Sequence, residues 1–233
     1  IEGIQFARSD WQGLLESLVR AVRLSTLILL PAAAGLFVLR YPLVQILFQH
    51  GAFSFSDTVL TANTMPYFLG ALYFGGIVPL LTNVYYGTEK VFVAVRASVI
   101  SIGLNILFSL ALILPLKQNG LALANSLSAL VNVILLTRGL YKIIPAAQRT
   151  VLFNTSLFSF LARIIAAVGI MMLSINLFMH LVATNLLHQP GLVLCSLGAI
   201  LLGMVVFMVA TFLLRIEEVQ KGIFYLINRI RPA

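Results

Sequence analysis

Apolar residues in this chain come in long uncharged runs, separated by short clusters that hold nearly all the charge. Crossing a hydrocarbon layer of ~30 Å takes roughly 20 apolar residues in helical form, because a helix satisfies its own backbone hydrogen bonds where water is missing. Runs of that size predict spans over Leu24–Leu39, Thr58–Thr88, Ala97–Leu116 and Gln118–Thr137, the first beginning a turn earlier near Arg20. From Ile164 to Leu214 there is no Lys, Arg, Asp or Glu. The polar patch from Asn185 to Gly191, with Pro190 inside it, divides that run into a fifth and a sixth span.

Composition removes the soluble alternative. Of 233 residues, 61% are hydrophobic and 9% charged, against about a quarter charged in soluble domains. The single Cys195 lies within a span, which excludes an internal disulfide and leaves it as a small core residue. The chain starts at Ile1 with no secretory leader pattern, and is expected to be a piece of something longer.

The basic residues orient the spans, since cytoplasmic loops keep an excess of Lys and Arg. With a cytoplasmic start, that side receives Arg8, Arg20, Arg23, Lys90, Arg96, Arg138, Lys142, Arg149, Arg215, Lys221, Arg229 and Arg231, and Arg163 falls at the cytoplasmic start of the fifth span. The other side receives only Arg40 and Lys117. Both ends of the segment are therefore expected on the cytoplasmic face of an inner membrane. The net charge of +8 reads as attraction to anionic lipid headgroups, with no nucleic-acid partner. Two flanking segments are amphipathic. Trp11, Leu14, Leu15, Leu18 and Val22 share one helical face near the start, and Ile216, Val219, Ile223, Leu226, Ile227 and Ile230 share one near the end; both predict helices lying in the interface.

Catalytic chemistry finds little to use. No carboxylate occurs between Glu89 and Glu217, so paired-acid catalysis, carboxylate metal cages and an acidic proton relay are missing from the last four spans. Glu2, Asp10, Glu16 and Asp57 sit at span edges or in loops. His50, His180 and His188 fall on the predicted outer side without ligand spacing or acid partners, and read as interfacial residues rather than a metal site. The Ser, His and Asp around His50 to Asp57 form a short turn without a nucleophile elbow. No catalytic residue and no enzymatic activity are expected.

Uncharged polarity within the spans is the unusual feature. Thr82 and Asn83 lie in the second, Asn105 and Ser109 in the third, and Asn125, Ser126, Ser128 and Asn132 in the fourth. Asn105 and Ser109 are four apart, as are Ser128 and Asn132, so each pair shares a helix face. Buried amides and hydroxyls need partners, either a neighbouring helix or a wet cavity wall. Interhelical hydrogen bonding and a substrate or ion path are both open readings, with Asn83, Asn105, Ser109, Asn125, Ser128 and Asn132 as the path candidates. Pro31, Pro66 and Pro79 interrupt the first two spans, with Gly70, Gly75 and Gly76 between the latter pair. Ala71 with Gly75, Ala122 with Ser126 and Ala199 with Gly203 are small pairs four apart that permit close helix contact.

More specific wording follows. Ile46-Leu47-Phe48-Gln49-His50-Gly51-Ala52-Phe53-Ser54-Phe55-Ser56-Asp57-Thr58, followed by Thr61 and Ala62, resembles the characteristic loop of the MurJ/MviN lipid II flippases. Pro115-Leu116-Lys117-Gln118-Asn119-Gly120-Leu121-Ala122-Leu123-Ala124-Asn125-Ser126-Leu127 is similar to that family's connection between its eleventh and twelfth helices, and Tyr85-Tyr86-Gly87 to its aromatic pair at the end of the second of these spans. The resemblance runs over nearly the whole chain and places the six spans at family helices nine to fourteen. It implies an all-α integral membrane fold, part of a two-lobed flippase. Residues 1–23 would be a cytoplasmic interfacial helix and 24–142 four helices forming half of the C-terminal lobe. Residues 143–214 would be two added helices forming an apolar groove, and 215–233 a cytoplasmic amphipathic tail. The implied function is translocation of lipid II, an undecaprenyl-pyrophosphate bearing a disaccharide-pentapeptide, from inner to outer leaflet by alternating access. A polysaccharide or O-antigen lipid exporter of the same superfamily is the alternative, and a membrane scaffold the rival from another class.

The implied partners are lipid II, membrane lipids and N-terminal helices absent from this chain, which carry most headgroup-binding arginines of the family. The groove for the lipid tail would be lined by Ile165, Val168, Met172, Leu194, Leu201 and Val205. Some family members bind sodium near the third and fourth spans. Asn105 and Asn125 stand at the expected places for that coupling ion, but Ser109 sits where an acid could have been the strongest ligand. Val93-Ala94 replaces the family's usual Thr-Pro at the start of the third span, so the helix start there is expected to differ.

Overall fold

The computed structural model describes residues 11–151, 155–183, 189–216 and 218–220. Its elements are α1 (Trp11–Val38), α2 (Arg40–Phe48), α3 (Phe55–Gly87), α4 (Val91–Leu116), α5 (Gln118–Ile143), a 3-10 turn at Ala146–Val151, α6 (Thr155–Ala183) and α7 (Gln189–Leu213). All described secondary structure is helical. Six of these helices, all but α2, are long and apolar enough to cross a membrane. Their outer faces fit that solvent. Leu114, Phe92, Phe158, Leu173 and Leu213 are at least 72% exposed, an apolar surface that water would not tolerate and hydrocarbon does.

The helix ends follow from local chemistry. Ser54 caps α3 through a capping box, its amide and hydroxyl reaching Asp57 Oδ2 at 2.8 and 2.7 Å, while the Asp57 amide donates back to Ser54 Oγ at 3.3 Å. Gly51, at φ +59, turns the chain just before it. Thr58 Oγ1 then donates to Gln49 Oε1 at 3.0 Å, tying the end of α2 to the start of α3. The stretch that carries the family resemblance is thus a turn built for geometry. Residues at positive φ end two other helices. Glu89 (φ 58) follows α3, with the Lys90 amide donating to the Tyr85 carbonyl, and Arg215 (φ 51) follows α7, with the Ile216 amide donating to the Thr211 carbonyl. Between α4 and α5 the whole connection is Lys117, at φ 52 and ψ −129.

Helix boundaries depart from the sequence expectation at two places. The segment expected as a separate interfacial helix is continuous with the first span, in one helix from Trp11 to Val38. At 1.5 Å per residue it rises about 42 Å, some 12 Å beyond a ~30 Å hydrocarbon layer, so its amphipathic turns are an extension of the span. Leu15 and Leu18 are buried there, with Trp11, Leu14 and Val22 packed beside them. The third span starts at Val91, six residues before the expected Ala97, and Lys90 gives it no side-chain cap. The expected C-terminal amphipathic helix lies, from residue 221 on, outside the described residues; Ile216 and Val219 are buried.

The chain divides into two compact units. The first comprises Ile1–Leu29 and Leu60–Asn154, the second Leu30–Val59 and Thr155–Ala233. The division passes through α1 beside Pro31, whose missing N–H removes one bond from the ladder. The core of the first unit joins Leu15 and Leu18 of α1, Ile77, Leu81, Val84 and Tyr85 of α3, Ala94 and Ala97 of α4, and Leu136 and Leu140 of α5. That of the second joins Leu39 to Met171 and Ile175 of α6 and Ala199 of α7. Gly203 lets α7 approach α6 closely, since a Cβ there would lie 2.7 Å from Ile175 Cδ1. Arg163 Nη1, near the start of α6, donates to the Arg215 carbonyl at 3.1 Å.

Candidate functional site

In the first unit, α4 and α5 are held together by a polar seam. Ser101 Oγ donates to the Ser128 carbonyl at 2.7 Å, Asn105 Nδ2 to Ser128 Oγ at 2.9 Å, and Ser128 Oγ to the Asn125 carbonyl at 2.9 Å. Ser101 and Ser128 are buried. In a medium without water each such bond spares a desolvated polar group, so the seam fixes the register of the two helices.

A second polar contact ties α5 to α3. Ser126 Oγ donates to the Tyr67 carbonyl and accepts from the Ala71 amide at 2.9 Å, the two backbone groups that a helix ordinarily pairs with each other. A side chain inserted there is a recognised cause of helix bending, and it sits one turn after Pro66. Gly70 makes room, because a Cβ at that position would lie 2.9 Å from Ser126 Cβ. Deeper in the unit, the Tyr85 hydroxyl donates to the Leu136 carbonyl and leaves space only for Gly139 beside it. Thr64 Oγ1 donates to Asn119 Oδ1 at 2.7 Å, and Thr26 Oγ1 lies 3.0 Å from the Tyr73 hydroxyl.

Of the residues expected to line a path, the structure joins Asn105 and Ser128 directly and adds the Asn125 backbone. The Asn125 and Asn83 side chains are exposed on their unit, and Ser109 is half-buried one turn beyond Asn105. Asn132 Oδ1 is buried without a hydrogen-bond partner. Ser101 was missed by the sequence reading, although its spacing of four before Asn105 continues the same helix face. As a cation cage the seam does not fit. Its donors are neutral and engaged with one another, and neither α4 nor α5 contains a carboxylate to serve as an anionic ligand. Among the described residues no three His, Cys, Asp or Glu side chains cluster. His50 and His180 are exposed; His188 lies outside the described residues.

The groove candidates divide in two. Ile165, Leu194, Leu201 and Val205 are 61–71% exposed on α6 and α7. Val168 is buried and Met172 half-buried, on the flank of α6 that carries Ile164, Met171 and Ile175. Both α6 and α7 therefore expose apolar side chains, while Val168 serves their packing.

The family model described as lipid II flippase MurJ matches residues 4–191. The chain belongs to this MurJ family. It is 30% identical over 162 residues to the probable lipid II flippase MurJ of Buchnera aphidicola subsp. Acyrthosiphon pisum, covering 70% of this chain and 31% of the relative. To that of Haemophilus influenzae it is 34% identical over 121 residues, covering 52% and 24%. To that of Rickettsia prowazekii it is 26% identical over 204 residues, covering 87% and 39%. The chain thus spans about a third of the length of these MurJ relatives. A solved structure titled lipid II flippase MurJ, inward closed conformation, matches the fold at a TM-score of 0.65 and 21% identity, over 91% of this chain and 41% of that one. With six apolar helices and this family, the chain is a multi-pass protein of the bacterial inner membrane.

Proposed function

We propose that this chain forms the later helices of a lipid II flippase, supplying four helices of its second lobe and the two that follow. The family match over residues 4–191 carries the reading. Translocation has two physical problems. The sugar, peptide and pyrophosphate need a wet path, whereas the undecaprenyl tail can remain in hydrocarbon throughout. The exposed faces of α6 and α7 suit the tail, because Ile165, Leu194, Leu201 and Val205 give it contacts equivalent to those of lipid. The α4–α5 seam carries no charge, so it serves as the rigid wall of a moving lobe, while the cations that hold the pyrophosphate come from other helices. Rigid polar seams suit alternating access, which moves packed helices as bodies. In this reading both ends face the cytoplasm and the turn at His50 to Ser54 faces outward.

Complementation in cells depleted of their own lipid II flippase tests the function. The full-length protein containing this chain should restore growth and outer-leaflet lipid II, and failure in a correctly inserted protein removes the assignment. For orientation, a cysteine at Ser54 should react with an impermeant thiol reagent added outside whole cells. Reaction only in inverted vesicles reverses it.

A further inference from the structure

A cleft of about 860 Å³ opens at the end of the first unit where α4 begins and α5 ends. Arg96 of α4 and Arg138 and Lys142 of α5 line it, the latter two four residues apart and so on one helix face. Its inner walls are apolar, formed by Val93, Ile100 and Leu135. The described carboxylates are Glu16, Asp57, Glu89 and Glu218, and none of them lines the cleft. At its edge the Arg149 guanidinium sits 4.4 Å from the centre of the Tyr141 ring, which adds a fourth cation and an aromatic of the interfacial kind.

We propose that this cleft binds an anionic phospholipid from the adjoining leaflet, its phosphate held by Arg96, Arg138 and Lys142 and its upper acyl chain by Val93, Ile100 and Leu135. Three exposed cations without a carboxylate among them repel one another, and a phosphodiester relieves that repulsion. A soluble anion would use the charges and leave the apolar walls unmatched. An amphiphile matches both halves, and basic pockets between spans at a membrane face are a known setting for anionic headgroups. The polar seam and the apolar α6–α7 face take no part in it.

The test is native mass spectrometry of the purified protein released from nanodiscs containing phosphatidylglycerol or phosphatidylcholine. Phosphatidylglycerol should remain bound and phosphatidylcholine should not, and each of Arg96→Gln, Arg138→Gln and Lys142→Gln should weaken retention by about fivefold. The double variant Arg96→Lys with Arg138→Lys keeps the charge and should keep the lipid, which separates charge loss from misfolding. Equal retention of both lipids, unchanged retention in the triple Gln variant, or a cleft that takes no lipid because another helix fills it would each overturn the proposal. Displacement of the lipid by millimolar inorganic pyrophosphate would reassign the cleft to a soluble anion and also overturn it. The readout is lipid binding alone, so its outcome stands apart from whether the protein flips lipid II.

Discussion

Replacing Gly139 by alanine puts a methyl group 2.6 Å from the Tyr85 hydroxyl oxygen and 3.1 Å from Val93 Cγ1. Tyr85 is fully buried and its hydroxyl is committed to the Leu136 carbonyl, so the ring has nowhere to swing. Overpacking of this kind costs about 1–3 kcal/mol, and the displaced hydrogen bond about 1 more. Alanine returns about 1 kcal/mol over glycine within a helix, which leaves a net loss of about 1–3 kcal/mol. Tyr85→Phe alone loses only the hydrogen bond, about 1 kcal/mol. In the double variant the nearest ring atom is the Tyr85 Cζ position at 3.6 Å, an ordinary contact. The pair should therefore fall well short of additive, with the double variant no worse than Tyr85→Phe and a coupling of about 2 kcal/mol. Reversible unfolding in mixed micelles, with the four proteins compared in one lipid and detergent mixture, measures it. Gly75→Ala, where a Cβ meets nothing within 4 Å, is the control and should be neutral or stabilising. Additive losses within 0.5 kcal/mol would refute the argument that these two side chains compete for one space.

Other outcomes follow from single positions. Gly120→Ala drives a Cβ into the Leu112 carbonyl, backbone that cannot yield within the tight α4–α5 connection, and should destabilise by more than about 3 kcal/mol or abolish membrane expression, read by fluorescence-detected size exclusion. Lys117→Gly removes the strain of φ 52 and ψ −129 and should stabilise the protein by about 1 kcal/mol or more, read as a higher unfolding midpoint at unchanged slope. Asn132→Leu replaces a buried oxygen that lacks a partner and should stabilise by about 1–2 kcal/mol in the same micelle unfolding assay; a loss of stability would show that Oδ1 is satisfied.

The number, length and membrane character of the spans were legible in the sequence because hydrocarbon imposes them one helix at a time. A run of apolar residues is a span whatever it packs against. The Ser54-to-Asp57 cap and the Lys117 connection lay inside the two stretches that carried the family resemblance, since both are local and set by residues near in sequence. What the linear pattern left open was the partner of each polar group. Asn105, Ser126 and Ser128 were open to both readings, cavity wall and helix contact, until tertiary structure showed Asn105 bonded to Ser128 and Ser126 set against the Tyr67 and Ala71 backbone. Likewise Val168 and Ile165 are alike in apolar character, and only the angle of α6 against α7 buries one and exposes the other. Arg96, Arg138 and Lys142 showed in sequence as an orientation signal, and became one cleft only when α4 and α5 ran antiparallel and brought residues some forty positions apart to the same end. The bilayer acts on each segment separately and so writes itself into composition, whereas pairing depends on which two faces meet, which no single segment specifies.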